Sequence, residues 1–299
     1  MYKINQFKNS KNNQDYLLIE DTLKTSRAKI YLNLGGSLQQ LTLNNHELIK
    51  DMLLTYDNTY ASAILFPFVN RVKDGRYDFE GKTYQFDVNE KELNNALHGL
   101  VYNKKFELIK EETTETFASV KLVYHEKQIS NGFPYTYAIY LTYVLTENTL
   151  GLNVEIKNTD SKTFPFTLGW HPYFLSSDLY NSSFVFDSNE KLELDSRNIT
   201  EGIGINVHAN GFKIKNQFLD DCFILDSGEV LFNTPKYILT LKSSEGDSYL
   251  QLYTPPHKNT IAIEPTTGVS DSFNNGIGLK TLQPNETYSI HWNLKIDNN

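Results

Sequence analysis

The run Tyr137-Ala138-Ile139-Tyr140-Leu141-Thr142-Tyr143-Val144-Leu145 is followed, after Thr146-Glu147-Asn148, by Leu150-Gly151-Leu152-Asn153-Val154-Glu155-Ile156. Side chains alternate across a strand with period two, and β-branched and aromatic residues favour the pleated surface, so both runs predict half-buried strands separated by a turn. Working outward, residues 28–34, 119–124, 183–186, 238–241 and 249–253 read the same way or as short apolar runs of strand length. Turn signals lie between them: Gly35-Gly36, Asp74-Gly75, Glu80-Gly81, Asn131-Gly132, Asn210-Gly211 and Ser244-Glu245-Gly246-Asp247. Residues 75–86 predict one hairpin with Glu80-Gly81 at its tip. Residues 56–62 and 130–134 could each hold a turn or two of helix, and residues 8–14 read as a turn or loop. With no long helical stripe, repeat or linker, the expectation is an all-β sandwich or barrel forming one domain over 1–299.

Composition narrows the function classes. Of 299 residues, 39% are hydrophobic and 21% charged, an ordinary globular balance. The net charge of −8 and the absence of a basic block argue against nucleic acid. No run of about 18 apolar residues exists to span a membrane, and the first residues lack the apolar segment of a signal peptide. One cysteine, Cys222, makes neither an intrachain disulfide nor a CxxC zinc site. It predicts a reducing, cytoplasmic setting and a buried thiol. The 19 Tyr, 18 Phe and 2 Trp suit strand packing, and some suit stacking on a sugar ring.

Four segments place chemically capable residues in apolar or tightly turning surroundings. Asn70-Arg71 ends the aromatic run Phe66-Pro67-Phe68-Val69; the guanidinium fork suits sugar or carboxylate oxygens, or else a structural ion pair. His98 follows Ala96-Leu97 and precedes Gly99, which lets a backbone approach a ligand; a purely structural histidine would look the same. His171 sits among Trp170, Pro172, Tyr173 and Phe174, where burial favours neutral imidazole and a carboxylate would restore the charge; the alternative is an aromatic core turn. Glu264 closes the apolar run 260–263 before Pro265, where poor solvation would raise its pKa, unless it is a solvated strand end. Asp220, Asp221 and Gln251 are weaker candidates. His46, His125, His208, His257 and His291 read as surface residues. Walker A, GxGxxG, HExxH and GxSxG patterns are absent. His98, His171 and Glu264 lack paired metal-ligand spacing, so no metal or other cofactor is expected.

Taken in order, Asn70-Arg71, Leu97-His98-Gly99, His171-Pro172-Tyr173-Phe174 and Ile263-Glu264-Pro265 resemble the aldose 1-epimerase (galactose mutarotase) family, over residues 63–292. The hairpin following Asn70-Arg71 resembles it too. The resemblance implies a large galactose mutarotase-like β-sandwich with an open carbohydrate cleft. It also implies His171 as general acid and Glu264 as general base, with Arg71, His98, Asn70, Asp220 and Gln251 as substrate-binding residues. Trp170, Tyr173 or Phe174 would offer the sugar an apolar face. Gly169-Trp170 stands before His171 where galactose mutarotases carry Asn. Asp221 follows Asp220 where they tend to have His, so a one-residue shift would exchange the two aspartates. These departures indicate a divergent branch. The implied partner is a small-molecule sugar, bound by a monomer or homodimer. A hexose-6-phosphate 1-epimerase and a non-catalytic sugar-binding protein are the alternatives; a glycosidase would normally use two carboxylates.

Overall fold

The computed structural model describes residues 1–8, 14–245 and 248–298. Residues 9–13, within the loop expected at 8–14, and Gly246-Asp247 of one expected turn lie outside the described residues. The opening run is the strand Tyr137–Leu145, and its neighbours are Ala118–Glu126 and Thr149–Asn158, both antiparallel. Ile139, Leu141, Tyr143 and Leu145 stand opposite Ile156, Val154, Leu152 and Leu150, all on the buried face. This pairing supplies the third and fourth strands of a nine-stranded sheet that runs from Glu107–Thr113 to Phe212–Lys213 and has the long C-terminal strand Thr287–Asn298 at its centre.

A second large sheet has eight strands. Its order is Thr200–Ile205, Glu190–Leu194, Asp220–Leu225, Ser248–Tyr253, Thr260–Thr266, Gly169–Trp170 and Ile64–Leu65, with Tyr173–Leu175 also paired to Thr260–Thr266. Trp170 of this sheet and Trp292 of the nine-stranded sheet stack with centroids 6.2 Å apart, and both are buried. One apolar cluster runs from Tyr2 to Ile296 and includes the inner faces of both sheets and of the five-stranded N-terminal meander, Tyr2–Phe7 to His46–Ile49. The all-β sandwich expectation therefore holds.

Local expectations fare unevenly. The 75–86 hairpin pairs Arg76–Phe79 with Lys82–Gln85, and Glu80 (φ 49°) and Gly81 (φ 74°) form the two-residue, positive-φ turn that matches strand twist. The run at 28–34 gives a shorter strand, Arg27–Tyr31, because the chain turns before Gly35-Gly36. Helix appears at Tyr56–Thr59 as expected. It does not form at 130–134: Ser130 and Phe133 make an isolated antiparallel bridge around Asn131-Gly132, with Gly132 at φ 80°. Cys222 is buried beside Leu192 and Val269, and burial pushes its thiol pKa up. His125, His208, His257 and His291 are exposed, while His46 is half-buried and packs against Tyr237.

Candidate active site

Three adjacent strands of the eight-stranded sheet supply the floor of a cavity. Their register aligns Cys222 with Gln251 and Gln251 with Glu264, and in the next row Asp220 with Tyr253 and Tyr253 with Ala262. With period-two alternation these residues share one face, while Phe223, Leu250, Leu252 and Ile263 point into the core. Gln251 and Glu264 are thus half of an alternation whose other half is the sandwich core.

His171 arrives from a broken strand. Gly169–Trp170 and Tyr173–Leu175 both pair with Thr260–Thr266, and His171-Pro172 interrupts them because Pro has no N–H to extend a ladder. The break is held by Ser62 N–H to the His171 carbonyl (2.7 Å), His171 N–H to the Ala63 carbonyl (3.1 Å) and Ile263 N–H to the Pro172 carbonyl (3.1 Å). His171 Nε2 lies 3.4 Å from Glu264 Oε1, and both side chains are almost wholly buried.

The opposite wall is built from two left-handed residues. Asn70 has φ 48° and His98 φ 62°, and the His98 N–H donates to the Asn70 carbonyl at 2.8 Å. Such a backbone costs a non-glycine residue of order 1–3 kcal/mol and gathers at functional sites. Gly99 (φ 73°) completes the turn; a Cβ there would lie 2.3 Å from the Phe66 carbonyl oxygen, so only glycine fits. The turn stacks His98 edge-on to His171 (5.0 Å) and to Tyr60 (4.8 Å), while Tyr173 lies nearly flat on His171 (5.0 Å).

The cavity of about 360 Å³ brings together all seven site residues named from sequence: Asn70, Arg71, His98, His171, Asp220, Gln251 and Glu264. Their partners sort them. Arg71 Nε and Nη2 donate to both oxygens of Glu90 at 2.8–3.2 Å, the fork geometry of a strong pair. Asn70 Nδ2 donates to Gln251 Oε1 (3.2 Å), and Gln251 Nε2 donates to Asp220 Oδ1 (2.9 Å). Gln251 thus spends both ends of its amide inside the protein and holds Asp220 in place. Of the two aspartates, Asp220 lines the cavity, and Asp221 faces the other way and pairs with Lys191 at 2.9 Å.

Burial dominates the electrostatics. It pushes the Glu264 carboxyl well up, with Asp220 adding to the shift and Arg71 opposing it. It pushes the His171 imidazole down to about 4, and that of His98 well below its ordinary value, with the neighbouring His171 and Arg71 contributing. Asp220 is raised by burial, partly countered by Arg71 and Gln251. The ion-pair distance between His171 and Glu264 suggests charge, but desolvation of two buried groups favours the neutral pair, with its one proton on Glu264. His98 Nδ1, His171 Nδ1 and Glu264 Oε2 are buried and have no hydrogen-bond partner among the described residues. Buried polar atoms are rarely left so, and a polyhydroxylated ligand can supply donors and acceptors together.

Sequence reasoning missed Glu90, Tyr60, Tyr253, Asn198 and Phe218, which also line the cavity. Tyr253 was findable: it lies two residues beyond Gln251 on one strand and so shares its face. Glu90 sits in the polar run Asn89-Glu90-Lys91-Glu92 and gives no local signal. Of the three aromatic residues expected to offer an apolar face, Tyr173 does line the cavity. Trp170 and Phe174 are core residues, because alternation turns them toward the other sheet. Among the described residues, no group of three or more His, Cys, Asp or Glu is arranged to hold a metal ion.

Comparison with known proteins gives a consistent frame. The sequence profile of the aldose 1-epimerase family matches residues 17–295. The Escherichia coli (strain K12) protein YihR is 24% identical over 278 residues, covering 88% of each chain. A crystal structure of a galactose mutarotase-like protein from Clostridium acetobutylicum superposes with TM-score 0.88 at 21% identity, covering 99% of both chains. That of galactose 1-epimerase from Lactobacillus acidophilus superposes with TM-score 0.83 at 17% identity, covering 100% of this chain and 99% of the other. At these identities the two structures establish a common fold.

Proposed function

The chain belongs to the aldose 1-epimerase family, and we propose that it interconverts the α and β anomers of an aldose, with His171 and Glu264 as the acid–base pair. The observation that carries this reading is the buried His171–Glu264 pair, 3.4 Å apart in a sugar-sized cavity, with an unpartnered polar atom on each side chain.

Ring opening moves two protons. His171 as imidazolium delivers one to the ring oxygen as the bond from that oxygen to C1 breaks. Glu264 as carboxylate takes the other from the anomeric hydroxyl as the carbonyl forms. The pair holds one proton before and one after, now on Glu264. Rotation about the C1–C2 bond presents the other carbonyl face, and the transfers run in reverse on closure. Burial favours the pair in its neutral form, the form that accompanies the open-chain sugar. Sugar hydroxyls and Arg71 favour the carboxylate needed at the start. Each positioned proton transfer is worth about 10²–10⁴ in rate. Arg71 and Asp220 would orient hydroxyls through charge-assisted hydrogen bonds, His98 would meet the ring region, and Tyr173 would give the ring an apolar surface. The chain acts as one domain, and its buried lone cysteine fits a cytoplasmic enzyme.

Glu264→Gln and His171→Asn are each expected to abolish enzyme-dependent anomer exchange, followed by polarimetry or exchange spectroscopy. Normal turnover in either variant overturns the assignment. Sugar binding by the wild type without any exchange would instead identify a recognition protein of this fold.

A further inference from the structure

A second cavity, of about 560 Å³, lies against the first and shares Tyr173 with it. Its walls come from residues 50–55, from Tyr173 and Leu175, and from the loop 257–260. Three basic side chains line it: Lys50, His257 and Lys258, all exposed. None of the three has a carboxylate partner among the described residues. The one acid in the wall, Asp51, is already committed to Lys29 Nζ (2.8 Å), the Tyr31 hydroxyl (3.2 Å) and the Leu53 N–H (3.0 Å).

The sugar cavity has the opposite character. Its only guanidinium, Arg71, is neutralised by Glu90, and Asp220 adds a further carboxyl group. An anion is therefore disfavoured inside it and favoured just beyond Tyr173, in a protein whose net charge is −8. The chemistry of the ring fixes what reaches that far. In a pyranose the ring oxygen bonds C1 on one side and C5 on the other, and C5 carries the exocyclic carbon. On the mutarotase reading His171 stands at the ring oxygen and Glu264 at C1, so a C5 substituent directed past His171 would meet Tyr173, which is stacked on His171 and lines both cavities.

We propose that the cavity beyond Tyr173 is a subsite for an anionic group on the exocyclic carbon of the aldose, a phosphate or a carboxylate, gripped by Lys50 and Lys258 with His257 as a further donor. The orientation rests on the mutarotase reading above; the existence of the anion subsite is tested without it.

The test is calorimetric titration of the full chain with glucose, glucose 6-phosphate and glucuronate, repeated on the double variant Lys50→Ala/Lys258→Ala, whose exposed side chains carry no core packing. At low salt at least one of the two anionic sugars is expected to bind the wild type ten-fold or more tightly than glucose. That advantage should shrink at least ten-fold in the double variant. An advantage confined to glucose 6-phosphate identifies the group as phosphate; one shared by glucuronate identifies it as an anion of carboxylate size. Equal or weaker binding of both anions to the wild type overturns the proposal, as does an advantage that survives in the variant. Absence of anomer exchange with all three sugars would remove the mutarotase reading alone, since the binding comparison does not depend on turnover.

Discussion

Replacing His171 by Asn turns the buried pair into a measurement of its charge state. Burial lowers the imidazole from its ordinary 6.5 to about 4, so between these values the unfolded chain binds a proton that the folded chain refuses. Stability that depends on proton uptake rises with pH wherever the unfolded state holds more protons. The neutral imidazole therefore contributes nothing adverse above about pH 6.5, and the wild type loses stability as pH falls through the window towards 4. From those two values the linkage relation gives a loss of about 2 kcal/mol at pH 5 and about 3 kcal/mol at pH 4. The Asn variant lacks this contribution, while His98 and the carboxylates titrate in both proteins. Urea unfolding of both at pH 7.5 and pH 5 isolates the difference. The expected outcome is that the wild type loses about 2 kcal/mol relative to the variant over that interval. The rival arrangement, an imidazolium held by a Glu264 carboxylate at 3.4 Å, raises the histidine pKa instead. Its stability would be fully present below the unfolded value, so the wild type would gain on the variant as pH falls. A change of that sign, or none, refutes the neutral pair.

Other consequences are more local. Gly99→Ala places a Cβ 2.3 Å from the Phe66 carbonyl oxygen at φ 73° and should cost about 2–4 kcal/mol in chemical denaturation; a cost below 1 kcal/mol would show that the His98 turn can relax. Gln251→Leu removes the donor to Asp220 and the acceptor of Asn70, costing about 2–4 kcal/mol for one charged and one neutral hydrogen bond. It should raise KM for the sugar more than it lowers kcat, because Asp220 is released from its orientation; an unchanged KM contradicts that positioning role. Asp220→Asn should weaken sugar binding, whereas Asp221→Asn, which breaks only a partly exposed pair with Lys191, should leave it unchanged and alter stability by less than about 1 kcal/mol; loss of sugar affinity in Asp221→Asn but not in Asp220→Asn would reverse the choice between them.

The fold was legible because its signal is a repeated local one. Alternation over 137–145 and 150–156 names the buried face directly, and the sheet confirms it residue by residue. The candidate site was legible where chemistry interrupts such a pattern: a His beside Pro172 in an aromatic run, a Glu at the end of an apolar one. Glu90 and Tyr60 were not, because nothing in a polar loop or a short helical turn announces which distant side chain it will meet. Glu90 reaches the cavity by its bonds to Arg71 and Asn95, and those bonds follow from the tertiary course of the chain. The absent helix at 130–134 fails for a different reason: Gly132 favours the left-handed turn over continued helix.

The site and the sandwich are specified by the same register. Asp220, Gln251 and Glu264 face the cavity only because Cys222 stands opposite Gln251 and Gln251 opposite Glu264. Slipping any of these strands by one residue would turn Asp221, Leu252 or Ile263 toward the cavity and bury a carboxylate or an amide in the core. Such a slip trades a full apolar row for unpaired polar groups, at roughly 1–3 kcal/mol for each unsatisfied group before packing is counted. The core thereby selects the geometry of the proposed acid–base pair, although Phe223, Leu250, Leu252 and Ile263 point away from the cavity. The reverse does not hold. Glu264, His171 and His98 keep polar atoms buried and unpartnered among the described residues, and His98 adds a left-handed backbone, so the cavity weakens the fold that positions it. On the proposed function, residues whose presence costs stability in the folded chain gain partners when a sugar enters, and that asymmetry between the two faces of one sheet is the physical argument for placing the proposed site on this face.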